Sequence, residues 1–272
     1  MKSVLCAIGC ALACAGAAVA QPIDTLDQKV WVRLVAFHPE IDTAARIDTA
    51  GGGAIGTEFS FEELGLPRKK TLPTLLVGAR FGGAWRAEFE YFRLSRSASR
   101  TLTRQLTVDN TVYPASARLD SRFVSDIYRA SGGYSFVQTP RSELGAVVGL
   151  HVTRFDIDLT GAGRVSGQQV IRATEQRRQT VPLPTLGLYG ALAFAPGWQA
   201  TGRADYFLLR RGGYDGRLIN AQANVLYRFT RQVALGLGWR IDDYRLAADR
   251  SSFSGRVEYR FSGPQTLFEA AF

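Results

Sequence analysis

The sequence contains few cysteines and few histidines. Its three cysteines, Cys6, Cys10 and Cys14, all lie close to the amino terminus, and its two histidines are His38 and His151. We find no phosphate loop, zinc-ligand spacing or nucleophile elbow. If the amino-terminal segment is removed, the remaining chain cannot form a disulfide or a cysteine-based metal site.

The first 20 residues have the pattern of a secretory signal peptide. Lys2 precedes an apolar run that extends to Val19, and the AVA tripeptide at its end fits a small-x-small cleavage site. A lipoprotein interpretation would use Cys14, but the residues before it form a poor lipobox. We therefore expect residues 1–20 to be removed on export and residues 21–272 to form one domain.

Long apolar runs are also absent after Val19, so the sequence predicts no transmembrane helix. What it has instead is alternation with a period of two residues. Between Trp198 and Leu208, apolar and small side chains alternate with polar ones, and the pattern recurs at 219–229 and 233–241. Side chains of a strand point alternately to opposite faces, so these segments predict strands with one apolar and one polar face.

Four tight turns separate the predicted strands, at 82–84, 138–142, 195–197 and 230–232, and aromatic residues flank them. Longer loops are expected near 42–70, 97–121 and 160–182. Short turns at one end, long loops at the other and aromatic girdles are typical of transmembrane β-barrels. Four turns and two chain ends on the same side give an all-β, antiparallel, up-and-down barrel of ten strands, with eight or twelve as alternatives.

A water-soluble sandwich would also have an apolar face, but the aromatic girdle and mid-strand charges disfavour it.

The last segment reads FSGRVEYRFSGPQTLFEAAF, and Phe268, Ala270 and Phe272 share one face of it. It resembles the closing strand of Gram-negative outer-membrane β-barrels. The resemblance implies that this aromatic strand is the signal read by the barrel-insertion machinery. We expect both Tyr259 and Phe268 to face lipid, although one position is odd-numbered and the other even-numbered. One extra residue in the strand would move both to the same face, so we predict a bulge at Ser262-Gly263-Pro264.

Further segments resemble a proteobacterial group of outer-membrane barrels. They are TEFSFEELGLP at 57–67, EYFRL at 90–94, RADYF at 203–207 and the stretch at 259–264. The motifs of that group are structural, so the resemblance implies a fold and an outer-membrane location but no activity. We interpret the segment at 57–67 as a packed loop over the barrel mouth, with a lid or receptor surface as the alternative.

The predicted inner faces carry acids and bases together. They are Arg33, Arg80, Arg86, Glu88, Glu90, Arg129, Glu143, His151, Arg203, Asp205, Arg228, Arg240, Asp242, Arg256, Glu258 and Arg260. A lumen of this size is just wide enough for side chains, so we predict a salt-bridged plug. The alternative is a narrow channel whose basic excess favours anions.

The predicted outer loops are basic, and the formal charge of the whole chain is +9. Because export argues against nucleic acid, we expect outer-membrane lipid and lipopolysaccharide phosphate to be the anionic partners. The candidate contacts are Arg96, Arg100, Arg104, Arg118, Arg172, Arg177 and Arg178.

Catalytic chemistry has weak support in the sequence. Omptin proteases are ten-stranded barrels with acidic pairs and a histidine at the rim, but His151 lies about 16 Å along the strand from Asp156. A lipid hydrolase could use His38 with Ser95 or Ser97. We therefore expect no cofactor, no metal and no enzymatic activity, but a structural, adhesive or surface-interaction role. A small-solute channel and a rim hydrolase remain the alternatives.

Overall fold

The computed structural model describes residues 26, 28–49, 55–165, 168–211, 214–250 and 253–272, so the predicted signal peptide lies outside the described residues. Within these ranges no helix is long and apolar enough to cross a membrane. The described strands are β1 (Val30–Phe37), β2 (Glu40–Asp48), β3 (Phe59–Ser60), β4 (Leu72–Phe81), β5 (Trp85–Thr101), β6 (Leu106–Val108), β7 (Thr111–Tyr113), β8 (Arg118–Gln138), β9 (Ser142–Val165), β10 (Gln168–Ala195), β11 (Trp198–Arg211), β12 (Tyr214–Arg228), β13 (Val233–Arg250) and β14 (Phe253–Ala271).

Ten of the described strands close into an antiparallel barrel, as predicted. Their order is β1-β4-β5-β8-β9-β10-β11-β12-β13-β14, and β14 pairs back with β1. The upper part of β14 pairs with β2 instead, so β1 and β2 follow each other along the same wall. The chain passes between them at His38 and Pro39, where a Cβ on Gly263 would lie 2.4 Å from the carbonyl oxygen of His38. Only a glycine allows this close approach.

The four predicted tight turns join consecutive strands at one end of the barrel. Gly82, Gly83 and Gly197 have positive φ angles of 56°, 75° and 74°, which residues with a Cβ rarely adopt. Next to these turns the aromatic side chains are exposed on the outer wall, as the predicted girdle requires. They include Phe81, Trp85, Phe136, Phe194, Trp198 and Phe229.

At the end opposite the tight turns, the barrel wall extends further beyond the membrane than we expected. A membrane-crossing strand needs about 9–11 residues, whereas β8, β9 and β10 have 21, 24 and 28 residues. The expected loop at 160–182 therefore consists largely of paired strand. The expected loop at 97–121 contains the ends of β5 and β8 and the hairpin β6–β7, and that at 42–70 contains most of β2 and all of β3.

The polarity of the two faces inverts part of the way up the strands. On β5 the inward side chains change from Glu88 and Glu90 to Phe92 and Leu94, while Arg93 is exposed outside. Within the bilayer the outer face must be apolar, but above it the outer face contacts water and the interior is closed by apolar packing. The lower half of such a strand therefore has its apolar face on the outside of the barrel, whereas the upper half has its apolar face on the inside.

This inversion corrects our interpretation of β14. Val257, Tyr259 and Phe261 are buried inside the barrel, and the predicted bulge is absent from the described register of β13 with β14, which runs without a shift. Odd-numbered residues point inward along the whole strand. The prediction that Arg256, Glu258 and Arg260 lie in the lumen was therefore wrong, because all three lie on the outer wall above the apolar band.

Candidate functional site

The lower half of the lumen, next to the tight turns, is filled with ionisable side chains. Strand alternation directs them inward because the opposite face must remain apolar against lipid. The described members are Arg33, Arg80, Arg86, Glu88, Glu90, Arg129, Glu143, Arg203, Asp205, Arg228, Arg240, Asp242 and Glu269. We call this set the charged layer.

The base of the charged layer is held by two carboxylates. Glu269 on β14 accepts from Arg33 Nε at 2.5 Å and also binds Arg228. Arg80 on β4 donates two hydrogen bonds to Glu143 on β9, at 2.9 and 2.8 Å. Such bidentate pairs fix geometry as well as charge, so the base ties walls that are not neighbours in the sheet.

The centre of the layer is a continuous chain of ion pairs. Arg203 contacts Glu88 at 2.6 Å and Asp205 at 2.8 Å. Arg129 contacts Asp205 at 3.2 Å and Glu90 at 2.9 Å. Glu90 in turn lies 3.0 Å from Arg240, which pairs with Asp242 at 2.8 Å. Each carboxylate thus contacts at least one guanidinium.

The charges of this layer nearly cancel. Its described members comprise seven arginines and six carboxylates, because Arg256 and Arg260 lie outside and Glu269 lies inside. Removing these charges from water is costly unless they are paired, and the observed contacts supply the pairing. The described charged side chains of the lumen are thus paired across its walls.

An apolar layer fills the lumen above the charges. The guanidinium of Arg240 marks the boundary, lying 4.8 Å from the ring centroid of Phe92 and 5.5 Å from that of Phe37. Tyr244 and Tyr259 stack above it at 4.6 Å. Further buried side chains complete the layer, among them Ile41, Phe61, Leu94, Phe123, Phe155, Ile157, Leu246, Val257 and Phe261.

The first outer loop forms the top of this apolar layer. Phe61 in that loop packs against Phe123 of β8, with ring centroids 4.8 Å apart. Glu62 beside it accepts from Arg96 of β5 at 2.7 Å, and Arg96 also donates to Thr43 at 2.6 Å. The interpretation of the segment at 57–67 as a packed loop agrees with these contacts.

Arg96 corrects another prediction. We expected it to contact lipopolysaccharide, but its side chain is fully buried and paired with Glu62 inside the barrel mouth. Inward-facing positions of β5 alternate with exposed ones up to this height, and Arg96 has the inward phase of Phe92 and Leu94. A buried guanidinium requires a partner, which the first loop provides.

The other arginines predicted to contact lipopolysaccharide differ in their surroundings. Arg104 pairs with Glu63 at 3.2 Å, and Arg178 donates to Asp156 at 3.0 and 2.8 Å. Arg177 is partly buried and pairs with Asp109 and Glu175. The remaining three are exposed near the rim or on the outer wall: Arg100, Arg118 and Arg172.

The hairpin β6–β7 is anchored on β9 close to these rim arginines. The hydroxyl of Tyr113 donates to the carbonyl oxygen of Leu159 at 3.1 Å. Burial raises the pKa of the Tyr113 hydroxyl, which keeps it a neutral donor. The hairpin therefore adds a fixed element to the rim.

The histidines do not assemble with the carboxylates or serines considered for catalysis. His151 is buried and contacts Thr153 at 3.1 Å, whereas Asp156 lies on the opposite face of the same strand. His38 contacts Thr71 at 3.0 Å rather than Ser95 or Ser97. Among the described residues no group of three His, Cys, Asp or Glu side chains could hold a metal ion.

Sequence reasoning missed two important carboxylates. Glu269 alternates with Phe268 and Ala270, so its inward phase could have been read from the predicted lipid-facing positions. Glu62 lies in a loop, where no periodicity indicates a direction. Its role emerges only when the loop folds back against β5.

No family model and no curated protein matches the chain. Among solved structures, it is similar to the outer membrane protease OmpT from Escherichia coli, with 13% identity, 91% of this chain and 98% of that chain covered, and a TM-score of 0.57. It also matches the toluene transporter TodX from P. putida, with 10% identity, 93% of each chain covered and a TM-score of 0.38. Neisserial surface protein A matches with 14% identity, 89% of this chain and 97% of that chain covered, and a TM-score of 0.30.

The TM-scores of the last two matches are below 0.5, so we use only the match to OmpT. Because its sequence identity is low, that match shows a similar fold and nothing more. The closed ring, the apolar outer band and the aromatic girdle agree with it. The described chain therefore has the fold of the closed, ten-stranded β-barrels of Gram-negative outer membranes.

Proposed function

We propose that this chain is a non-enzymatic outer-membrane barrel with a sealed lumen, which acts through its outer surface in a structural, adhesive or other interaction role. One observation carries the proposal: the lumen is blocked at two heights by different means. The charged layer fills the lower half, and the apolar layer with the first loop fills the upper half.

Both layers oppose the passage of solutes. An ion entering from the base would have to replace contacts such as that of Arg203 with Glu88. It would then meet an apolar layer in which it has no polar partner, and such constrictions exclude ions by dewetting. The cavity at the base has a volume of about 70 Å³, enough for about two water molecules. This supports a pocket at the base rather than a continuous path.

Export and assembly belong to the same proposal. We infer that residues 1–20 direct the chain across the inner membrane and that β14 is recognised by the barrel-insertion machinery. The outward-facing positions of Phe268 and Phe272, both exposed, support this role for β14.

Conductance in a planar bilayer tests the sealed lumen. We expect no steady current from the wild-type barrel, with insertion verified by heat-modifiable migration of the protein recovered from the same vesicles. A stable current with anion selectivity would overturn the proposal and favour the narrow channel, which the five arginines and three glutamates lining the basal cavity would then explain.

A hydrolase assay tests the non-enzymatic part. We expect wild-type protein in lipid to release neither fatty acid from phospholipid or lipid A nor fragments from a peptide library. Turnover that disappears in both His38→Ala and His151→Ala variants would contradict the proposal.

A further inference from the structure

A cleft of about 210 Å³ lies on the outer wall of the barrel where β12, β13 and β14 rise above the apolar band. Three arginines from these three adjacent strands line it: Arg217, Arg245 and Arg256. Leu208, at the top of the apolar face of β11 and directly opposite Arg217 in the strand register, also lines it, as does Asp215. We call this set of residues the arginine cleft. It is separate from the basic loops in which we expected the anionic partner to bind.

The strand register places like charges directly opposite each other at the arginine cleft. Arg217 on β12 faces Arg245 on β13, and Arg256 on β14 faces Arg46 on β2. Like charges in directly opposed positions of a sheet are destabilising. Arg46 is paired with Asp48 at 3.1 Å, and Arg245 also faces Glu258 on β14. The cost that remains is between Arg217 and Arg245, and an anion held between their guanidiniums would reduce it.

Two carboxylates, Asp215 and Glu258, line the cleft together with its three arginines. Glu258 contacts two of these arginines, but at long distances. Its carboxylate lies 3.5 Å from Arg245 Nε and 3.9 Å from Arg256 Nε, distances beyond a normal N–H···O hydrogen bond. The side chains of Arg245 and Arg256 are 58% and 47% exposed. Their terminal N–H groups therefore remain accessible to a ligand with several acceptor oxygens.

The height of the cleft identifies the source of that ligand. The outward face of β12 remains apolar up to Ile219, and Arg217 is the next outward residue, about 7 Å higher along the strand. On β13 the outward Asp243 lies between Ile241, the last apolar outward residue, and Arg245. The cleft thus lies at the first charged positions above the apolar band, where we expect the lipid headgroups. A phosphate bound here would belong to a lipid beside the barrel wall.

We propose that the arginine cleft binds the phosphate of an outer-leaflet glycolipid. Arg217, Arg245 and Arg256 donate N–H groups to the phosphate oxygens, and Leu208 packs against the apolar part of the lipid. Guanidinium forks suit phosphate because they donate in pairs. This inference rests on the outer-membrane location within the proposed function, but it does not depend on whether the lumen is sealed.

The test compares two triple variants with the same loss of charge. The first is R217A/R245A/R256A. The second, R93A/R122A/R154A, removes three exposed arginines from the outer wall of β5, β8 and β9. Each purified barrel is titrated in detergent with bisphosphorylated lipid A, with enzymatically dephosphorylated lipid A and with inorganic phosphate, and bound lipid is counted by native mass spectrometry.

We expect the first variant to lose lipid A affinity by at least about tenfold, the effect of losing a single charged hydrogen bond. The second variant should change by less than about threefold, since exposed charges acting at a distance contribute little. Dephosphorylated lipid A should bind the wild type as weakly as intact lipid A binds the first variant. Equal losses in the two variants, or equal binding of the two lipids, would overturn the proposal.

Competition with inorganic phosphate distinguishes a lipid phosphate from free phosphate as the ligand of the cleft. If it displaces lipid A from the wild type at equal molar concentration, the cleft is a site for free phosphate and the lipid assignment fails. If the triple variant does not fold, the single variants R245Q and R256Q against R154Q provide the same comparison. A conducting barrel that still binds lipid A through the cleft would refute the sealed lumen and leave this inference intact.

Discussion

Glu90 Oε1 on β5 lies 3.0 Å from Arg240 Nη2 on β13, although these strands stand on opposite walls of the barrel. The same carboxylate contacts Arg129 on β8 at 2.9 Å. One glutamate therefore joins three walls, and both arginines that it contacts are buried. This makes the charged layer a brace across the lumen.

Glu90→Gln should destabilise the barrel strongly. The change keeps the shape of the side chain but leaves Arg129 and Arg240 with one fewer negative partner, and breaking a buried pair costs about 3–5 kcal/mol. Urea unfolding in lipid vesicles measures the difference. Glu63→Gln is the control, because its pair with Arg104 is more than half exposed and should contribute about 0–1 kcal/mol. Equal stabilities of the two variants would show that the lumen is hydrated enough to screen its charges.

Arg96→Met should release the first loop from the barrel mouth. Methionine fills much of the same volume but cannot bind Glu62 or Thr43, so the buried carboxylate of Glu62 loses its cation. Chymotrypsin should then cut at Phe59 or Phe61 in the folded barrel, where both are buried in the wild type.

Arg100→Met is the matched control for that experiment, since Arg100 is an exposed arginine on the same strand, four residues above Arg96. It should leave the cleavage pattern unchanged. Protection of Phe59 and Phe61 in both variants would mean that apolar packing alone holds the loop.

Ala204→Arg should impair stable insertion. Ala204 is exposed on the outer wall of β11, between Gly202 and Tyr206 in the apolar band, and an arginine there costs about 2–4 kcal/mol if it lies near the bilayer midplane. The fraction of heat-modifiable protein in membranes measures the effect. Thr180→Arg places the same charge on the outer wall of β10 above the band and should insert normally. If Thr180→Arg fails equally, the boundary of the apolar band is misplaced.

Gly78→Ala should destabilise the lower barrel by packing. A Cβ at position 78 would lie 2.1 Å from Cε2 of the Trp31 ring, and overpacking of this kind costs about 1–3 kcal/mol. Unfolding midpoints report the change, and Trp31→Leu in the same chain should restore part of the stability.

Gly132→Ala is the control for Gly78, since a Cβ there would meet no other atom within 4 Å. It should leave the midpoint nearly unchanged. A failure of Trp31→Leu to rescue Gly78→Ala would indicate that backbone strain, rather than the tryptophan, causes the loss.

The sequence alone was sufficient for the architecture of the membrane-embedded part. Period-two alternation is a local property of an extended chain, and lipid imposes the same apolar outer face on every strand. Trp198, Ala204 and Leu208 could therefore be placed outside, and Arg203 and Asp205 inside, without knowledge of their neighbours. Turn residues such as Gly82 and Gly197 marked the ends of the strands for an equally local reason.

Tertiary structure decided which face is the interior above the membrane, and which charges meet. Tyr259 was assigned to lipid because its face is apolar, but at its height water lies outside and the apolar layer lies inside. Arg96 and Glu62 are brought together by a loop that folds back into the mouth. Glu90 meets Arg240 because closure of the ring sets two walls opposite each other. Alternation determines the face of a side chain, whereas strand height, loop packing and barrel closure determine what that face contacts.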